Sequence, residues 1–325
     1  MNNQDNRANY ILEVRGLKQF FPIDKKHVVH AVDGVDLRIK RGEILGLVGE
    51  SGSGKSTIAY SIMGMYEITD GKIIFNGQEI DAKSTRRSKH FRRAVQIVFQ
   101  DPGSSLNPYQ DVNQILSLPL KVHKIVPKKE IENKIIEILN MVELPKTFLY
   151  KDPSSVGGGE KQLISIARAL CSSPEFIILD EPTSSLDVSI QAKILNMLLS
   201  LHDREKLTYL LITHDMGVMR NIATRIAIMY LGKICEVAPT EMFFTKPLHP
   251  YTKMLLSAIP VVSEAEEKLK PERFAPQGEI PSPVNVPHGC AFHTRCMLKM
   301  DICEQQIPEF KEVEEGHFVC CHLFG

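Results

Sequence analysis

One stretch constrains this chain more than any other: Gly49-Glu50-Ser51-Gly52-Ser53-Gly54-Lys55-Ser56-Thr57. An apolar run, Ile44-Leu45-Gly46-Leu47-Val48, precedes it, and Ile58-Ala59-Tyr60-Ser61-Ile62-Met63 follows. Strand, glycine-rich turn and helix together make the context in which G-x-x-x-x-G-K-[ST] builds a phosphate-binding loop. The glycines let the backbone curl so that successive N–H groups point at phosphate oxygens, and the helix start adds its positive end. Lys55 is placed to reach the β- and γ-phosphates, and the Ser56 hydroxyl to ligate Mg²⁺.

At 325 residues the chain has room for about two domains. Its net charge is zero, so the broad basic field of a nucleic-acid-binding protein is missing. No run of eighteen apolar residues occurs, and Met1-Asn2-Asn3-Gln4-Asp5 is polar, so neither a spanning helix nor a secretory signal is expected. This composition suits a cytosolic chain, which can still sit on a membrane protein. Of seven cysteines, Cys171 and Cys235 stand isolated in sequence and five fall within 290–321. In a reducing compartment such a cluster points to metal rather than disulfides.

Residues 10–45 read as short strands: Ile11 to Val14, Val28 to Ala31, and Val35 to Ile39. Gly71 to Gly77 reads as a strand ending in an Asn76-Gly77 hairpin turn. The basic run Lys83, Arg86, Arg87, Lys89, Arg92 and Arg93 reads as the solvated face of a connecting helix. Val95 to Phe99 is a buried strand that ends at Gln100, before Asp101-Pro102. Residues 112–172 carry a helical period interrupted at Pro145 and Pro153, and strand and helix alternate again from 176. Short apolar strands alternating with helices predict a mostly parallel sheet covered on both faces. Residues 262–288, with Pro271, Pro276, Pro281, Pro283 and Pro287, read as an extended connector to the cysteine-bearing tail.

Phe176-Ile177-Ile178-Leu179-Asp180-Glu181 is an apolar strand that delivers two acids at its C-terminal end. With the phosphate loop granted, Asp180 becomes a Mg²⁺ holder and Glu181 the base that orients and deprotonates the attacking water. The Gln100 amide is a candidate to ligate the metal or sense the γ-phosphate. His214 ends the strand Leu210 to Thr213, on the edge where such sheets bind ligands. Taken singly, Gln100 and His214 fit surface and structural roles as well.

Taken together, residues 10–240 resemble the ATP-binding cassette ATPases. The resemblance rests on loop 49–57, Gln100, the region Val156-Gly157-Gly158-Gly159-Glu160 with the helix Gln162 to Leu170, Asp180-Glu181, Ser184-Ser185-Leu186-Asp187 and His214. It implies an α/β P-loop NTPase (RecA-like) core, an antiparallel β subdomain, and a helical subdomain over about 101–172. It also implies a head-to-tail dimer, each ATP held between one chain's phosphate loop and the other's signature helix, with an aromatic side chain, Phe21, on the adenine. In that family ATP is hydrolysed with Mg²⁺, here through Ser56, Gln100 and Asp180. His249-Pro250-Tyr251-Thr252 to Pro260, and the tail from Gly289-Cys290 to His322-Leu323, are similar to the extension, here 241–325, of the ATPase subunits of oligopeptide and dipeptide importers.

That resemblance implies a subunit on the cytoplasmic side of the cell membrane that powers peptide import. Its partners would be a second ATPase subunit, two permeases docking near Asp101 to Gln114, and an extracytoplasmic peptide-binding protein. A soluble cassette ATPase acting on nucleic acid or ribosomes, and a generic P-loop kinase, are the competing readings. Zero net charge and the lack of a long coiled coil weigh against the first, the signature region and His214 against the second.

The family signature reads Leu-Ser-Gly-Gly-Gln; here it is Val156-Gly157-Gly158-Gly159-Glu160. Gly157 has no hydroxyl to give the γ-phosphate held by the opposite subunit, and a lost transition-state donor costs about 10² to 10³ in rate. The defect falls on the partner's nucleotide, which points to a heterodimer of unequal sites. In the tail, Cys290, Cys296, Cys303 and Cys321 supply four sulfurs suited to Zn²⁺ or an iron–sulfur cluster, and free thiols remain an alternative. Resemblance favours [4Fe–4S], with Cys320 as the spare.

Overall fold

A computed structural model of the chain describes residues 9–259 and 278–325. The chain begins with two long strands, β1 (Tyr10–Pro22) and β2 (Val28–Lys40). Where the alternation predicts two short strands over Val28–Ala31 and Val35–Ile39, there is one. Gly34 takes φ +76 between them, a value glycine adopts without strain, and the strand runs on through it. β3 (Ile44–Val48) follows, every residue buried, then the phosphate loop, α1 (Lys55–Met63) and the hairpin β4 (Asp70–Phe75) and β5 (Gln78–Ile80). Asn76 and Gly77 have φ +50 and +76, the two positive values a type I′ turn needs, so the hairpin expectation is met. The order β2-β1-β4-β5 makes a four-stranded sheet, in which β1–β4 and β4–β5 are antiparallel.

Next come α2 (Lys89–Ala94), β6 (Val95–Val98), α3 (Pro102–Ser105), α4 (Val112–His123), α5 (Ile131–Met141) and α6 (Gly158–Leu170). The basic run is not one solvated helix face: only Lys89, Arg92 and Arg93 lie on α2, and Arg87 is buried before it. α4 starts from an Asp111–Gln114 capping box and buries Val112, Ile115, Leu116 and Leu120. α5 buries Ile131, Ile135, Ile138 and Leu139, so both helices turn one apolar stripe inward. β7 (Phe176–Asp180), α7 (Val188–Glu205) and β8 (Thr208–Ile212) complete this stretch. β6, β7 and β8 run parallel, and β7 and β8 are buried throughout, as near-continuous apolar strands require.

The remainder is α8 (Met216–Ile222), β9 (Arg225–Tyr230), β10 (Lys233–Pro239), α9 (Thr240–Thr245), α10 (Pro250–Ser257), α11 (Ile302–Gln305), β11 (Phe310–Glu314) and β12 (His317–Cys320). β3 pairs parallel with β9; β10 pairs antiparallel with β9 and with β12, and β12 with β11. The cysteine-bearing tail therefore extends the strands that carry the phosphate loop. Sequence periodicity does not show these last strands, because β11 is exposed along almost its whole length.

The chain forms two compact units. The described residues of Met1–Ile39, Ile44–Thr85 and Thr213–Gly325 make one; Lys40–Glu43 with Arg86–Ile212 make the other. Pro271 and Pro276 of the expected connector lie outside the described residues; Pro281, Pro283 and Pro287 lie in a stretch without helix or strand. Among the described residues no helix is long and apolar enough to cross a membrane.

Candidate active site

In the first unit, β3 and α1 hold the phosphate loop. Gly49 and Gly54 take φ +154 and +107, and a Cβ would fall on the Met229 carbonyl oxygen at the first and the Ala31 carbonyl oxygen at the second. Only glycine lets the loop pass there. Lys55 is buried, and its ammonium donates to the carbonyls of Gly49 at 2.8 Å and Glu50 at 2.9 Å and to Ser53 Oγ at 3.4 Å. Ser56 is the second residue of α1, where the first N–H groups of a helix lack partners within it. Between Glu50 and Lys55 lie Ser51, Gly52, Ser53 and Gly54, and Ser56 and Thr57 follow.

A cleft of about 440 Å³ lies against the loop, lined by Gly49, Glu50, His214, Asp215, Leu255 and Ile259 among others. His214 is exposed at its edge. Asp215 fixes the turn beside it by accepting from the N–H groups of Gly217 at 2.8 Å and Val218 at 3.1 Å. Phe21 is half-buried and meets Tyr66 edge-on, ring centroids 5.0 Å apart, while Phe20 packs on His30 at 4.2 Å. The two phenylalanines therefore have separate aromatic partners.

In the second unit, Asp180 closes β7 and is buried, and Glu181 follows with φ +46. A non-glycine residue in that region is strained by about 1–3 kcal/mol, and such strain gathers at functional positions. Gln100 Nε2 donates to Glu181 Oε2 at 2.9 Å, so the amide expected near the metal holds the carboxylate.

The signature region lies in the same unit. α6 begins at Gly158 with Gly157 as its cap. Having no side chain, Gly157 cannot cap; instead the Glu160 carboxylate reaches back and accepts from the Gly157 N–H at 2.6 Å. Glu160 thereby places a carboxylate at the helix start. A Cβ on Gly158 would sit 3.4 Å from Leu186 Cδ2, and one on Gly159 only 2.8 Å from Ile190 Cγ2. Gln191 Nε2 donates to the Thr183 and Leu186 carbonyls at 2.8 and 3.0 Å, fixing the segment through Asp187.

All seven cysteines, the five of the tail included, are free thiols. Cys290, Cys296, Cys303 and Cys321 line one cavity of about 10 Å³. Burial pushes the Cys290 thiol up to about 12 and that of Cys321 to about 11. Among the described residues no group of three or more His, Cys, Asp or Glu side chains is arranged to hold a metal ion. Cys320 donates instead to the Pro308 carbonyl at 3.2 Å. Cys235, isolated in sequence, is not isolated in space: it lines a neighbouring cavity together with Cys290 and Cys320.

Four further residues, Glu236, His249, Tyr251 and Arg295, make contacts that only the fold reveals. Glu236 is fully buried and accepts four hydrogen bonds: Leu248 N at 3.0 Å, His249 N at 2.8 Å, Thr252 Oγ1 at 2.6 Å and His317 Nε2 at 2.7 Å. His249 is buried too; burial lowers its pKa to about 4, and its Nδ1 accepts from the Tyr251 N–H at 3.0 Å. Tyr251 and Arg295 both reach Glu50 of the phosphate loop.

Comparison with known proteins shows the family and the fold. The ABC transporter profile matches residues 32–184, and that of the oligopeptide/dipeptide transporter C-terminal region matches 235–303. The oligopeptide transport ATP-binding protein AppF of Bacillus subtilis is 46% identical over 97% of this chain and 98% of its own. Among solved structures, cbiO1 of Clostridium perfringens, part of an ABC transporter complex, is 27% identical with a TM-score of 0.64, over 73% of this chain and 92% of that one. The ATP-binding cassette MJ0796, solved as a dimer bound to ADP and Pi, is 26% identical with a TM-score of 0.61, over 70% and 98%. The fold is the α/β P-loop cassette with its antiparallel and helical subdomains, and the chain is an ABC-type ATPase that uses ATP and Mg²⁺. It belongs to the ABC transporter ATP-binding proteins of the oligopeptide/dipeptide transporter family.

Proposed function

We propose that this chain powers the import of peptides through a membrane transporter, as one of two unlike ATPase subunits set head to tail. The whole-length match to AppF, tail included, is the observation that carries the reading. Its place is the cytoplasmic face of the cell membrane, on two permeases that dock beside Asp101 to Gln114, with an extracytoplasmic binding protein delivering peptide. Purification of the tagged chain from its host membranes tests this. Two polytopic membrane proteins and a second ATPase should accompany it, and the complex should hydrolyse ATP during peptide uptake into vesicles. An ATPase stimulated by nucleic acid, with no membrane partner, would overturn the reading; zero net charge argues against that outcome.

In the working site Lys55 and the loop N–H groups would bind the β- and γ-phosphates, Phe21 would pack on adenine, and Ser56, Gln100 and Asp180 would hold Mg²⁺. The bound metal supplies charge neutralisation at the phosphate oxygens. Glu181 orients the attacking water and takes its proton, Gln100 keeps that carboxylate aimed, and His214 contacts the γ-phosphate side. The second site combines the partner's loop with this chain's Val156 to Glu160, where Gly157 lacks the hydroxyl and Glu160 adds charge. That pairing makes the two sites unequal.

For the tail we assign Cys290, Cys296, Cys303 and Cys321 to a [4Fe–4S] cluster with a structural role. The four-sulfur donor set facing one cavity supports it. Anaerobically purified protein should contain iron and acid-labile sulfide with broad visible absorbance. Stoichiometric zinc without sulfide would replace the cluster by Zn²⁺.

A further inference from the structure

Glu50, the second residue of the phosphate loop, has all three of its polar groups engaged. Its carbonyl accepts from Lys55, 2.9 Å away. Its N–H donates to the Tyr251 hydroxyl at 3.0 Å. Its carboxylate takes a two-pronged bond from Arg295, Nη1 at 2.7 Å and Nη2 at 3.1 Å. Only the first partner belongs to the loop. Tyr251 is on α10 and Arg295 in the short turn His293–Arg295 just before Cys296, both inside the C-terminal region matched at 235–303.

The clamp is built rather than incidental. Arg295 is 5% exposed, its guanidinium carbon 5.8 Å from the centre of the Tyr230 ring and 6.0 Å from that of Phe292. Tyr251 is fully buried and packs on the same two rings, at 4.8 and 5.3 Å. The arginine is thus immobilised before it meets the carboxylate. A planar fork held this way fixes the direction as well as the charge of its partner.

Chemistry explains why such a clamp is useful. A carboxylate in a loop that cradles a triphosphate repels the ligand, and its side chain is free to turn toward it. Arg295 offsets the charge and holds the carboxylate. Tyr251 ties down the peptide that joins Gly49 to Glu50, the same peptide unit whose Gly49 carbonyl accepts from Lys55. We propose that Tyr251 and Arg295 are positioning residues of the ATP site, so that the C-terminal extension sets how tightly this subunit binds nucleotide. The proposal rests on the ATPase assignment and not on which solute is carried or which metal the tail holds.

The test measures equilibrium binding of MgATP, and KM and kcat of hydrolysis, in the assembled complex. Arg295→Met keeps the length and packing of the side chain and leaves Glu50 unpaired. It should weaken MgATP binding about tenfold and raise KM alike, with kcat held within about twofold. Adding Glu50→Gln removes the lone carboxylate and should recover most of that loss. Tyr251→Phe deletes one oxygen and should weaken binding about threefold. Unchanged affinity in Arg295→Met overturns the proposal. So does a double variant as weak as the single, since that pattern means the tail is only a packing element. If Arg295→Met does not fold, Tyr251→Phe decides: wild-type affinity there overturns the proposal. A wild-type complex that hydrolyses MgATP yet takes up no peptide would count against the transport reading and leave this one standing.

Discussion

Gln100 Nε2 donates to Glu181 Oε2 at 2.9 Å, which ties the end of one buried strand to the residue after another. Glu181 also donates its N–H to the Ile212 carbonyl at 2.9 Å and keeps φ at +46. Backbone and carboxylate are therefore both fixed before any water arrives. In the proposed role of general base, Glu181 should contribute about 10² to 10⁴ in rate. Glu181→Gln in the assembled complex should cut phosphate release by that order while MgATP binding persists. Gln100→Ala, which removes this hydrogen bond, should lower kcat by about tenfold, less than Glu181→Gln does. Near-normal turnover in Glu181→Gln would remove it from the role of base.

The signature helix invites a gain-of-function prediction. Restoring a hydroxyl by Gly157→Ser alone should do little, because its Cβ would meet Glu160 Oε2 at 2.7 Å and the carboxylate would still face phosphate. Gly157→Ser with Glu160→Gln supplies the donor and removes the charge. In a complex whose own base is disabled by Glu181→Gln, this pair should raise the residual ATPase by up to about 10². If the single change works as well as the pair, Glu160 has no part in weakening that site.

The chain's local chemistry was legible from residue order; its long-range ties were not. Loop 49–57, the Asp180-Glu181 strand end and the Asn76-Gly77 turn each demand fixed residue types at fixed spacing, so a few neighbouring letters define them. Arg295 and Glu50 are 245 positions apart, and His317 and Glu236 are 81 apart. No period or motif links such pairs; only the pairing of β12 with β10 and the packing of α10 bring them together. The same distance hid Cys235 from the tail cysteines. Arg87 misleads for a related reason: a charge run reads as solvated until one member finds a buried place.

Gly159 has a packing reason to be glycine. Its missing Cβ leaves room for Ile190 Cγ2, which an added methyl would approach to 2.8 Å, whereas Gly158 has an ordinary 3.4 Å to Leu186. Gly159→Ala should destabilise the chain by about 1–3 kcal/mol through overpacking, and Gly158→Ala by less. Trimming the neighbour in Gly159→Ala/Ile190→Ala should return part of that loss, a coupling that thermal unfolding of the four-member cycle measures. Strict additivity of the two changes would show that they do not meet.

Glu236 is the knot between tail and cassette. It sits on β10 opposite Val319 of β12, and its two oxygens accept from the chain at Leu248 and His249, from Thr252 on α10 and from His317 on β12. Glu236→Ala strands four buried donors at once. Breaking a buried network from one side costs about 3–5 kcal/mol, which for a unit of this size lowers the unfolding midpoint by about 10 °C. Glu236→Gln has one oxygen in place of two and a donor in place of the other, so it should lose a large share of the same stability. Glu309→Ala, an exposed acid in the same tail, should stay within about 0.5 kcal/mol. Because Tyr251 follows Leu248 and His249 on the segment that Glu236 anchors, Glu236→Ala should also weaken MgATP binding at temperatures where the chain is still folded. Differential scanning calorimetry paired with nucleotide titration separates the two effects. A drop in midpoint with undiminished affinity would mean that the knot holds the tail but does not reach the phosphate loop.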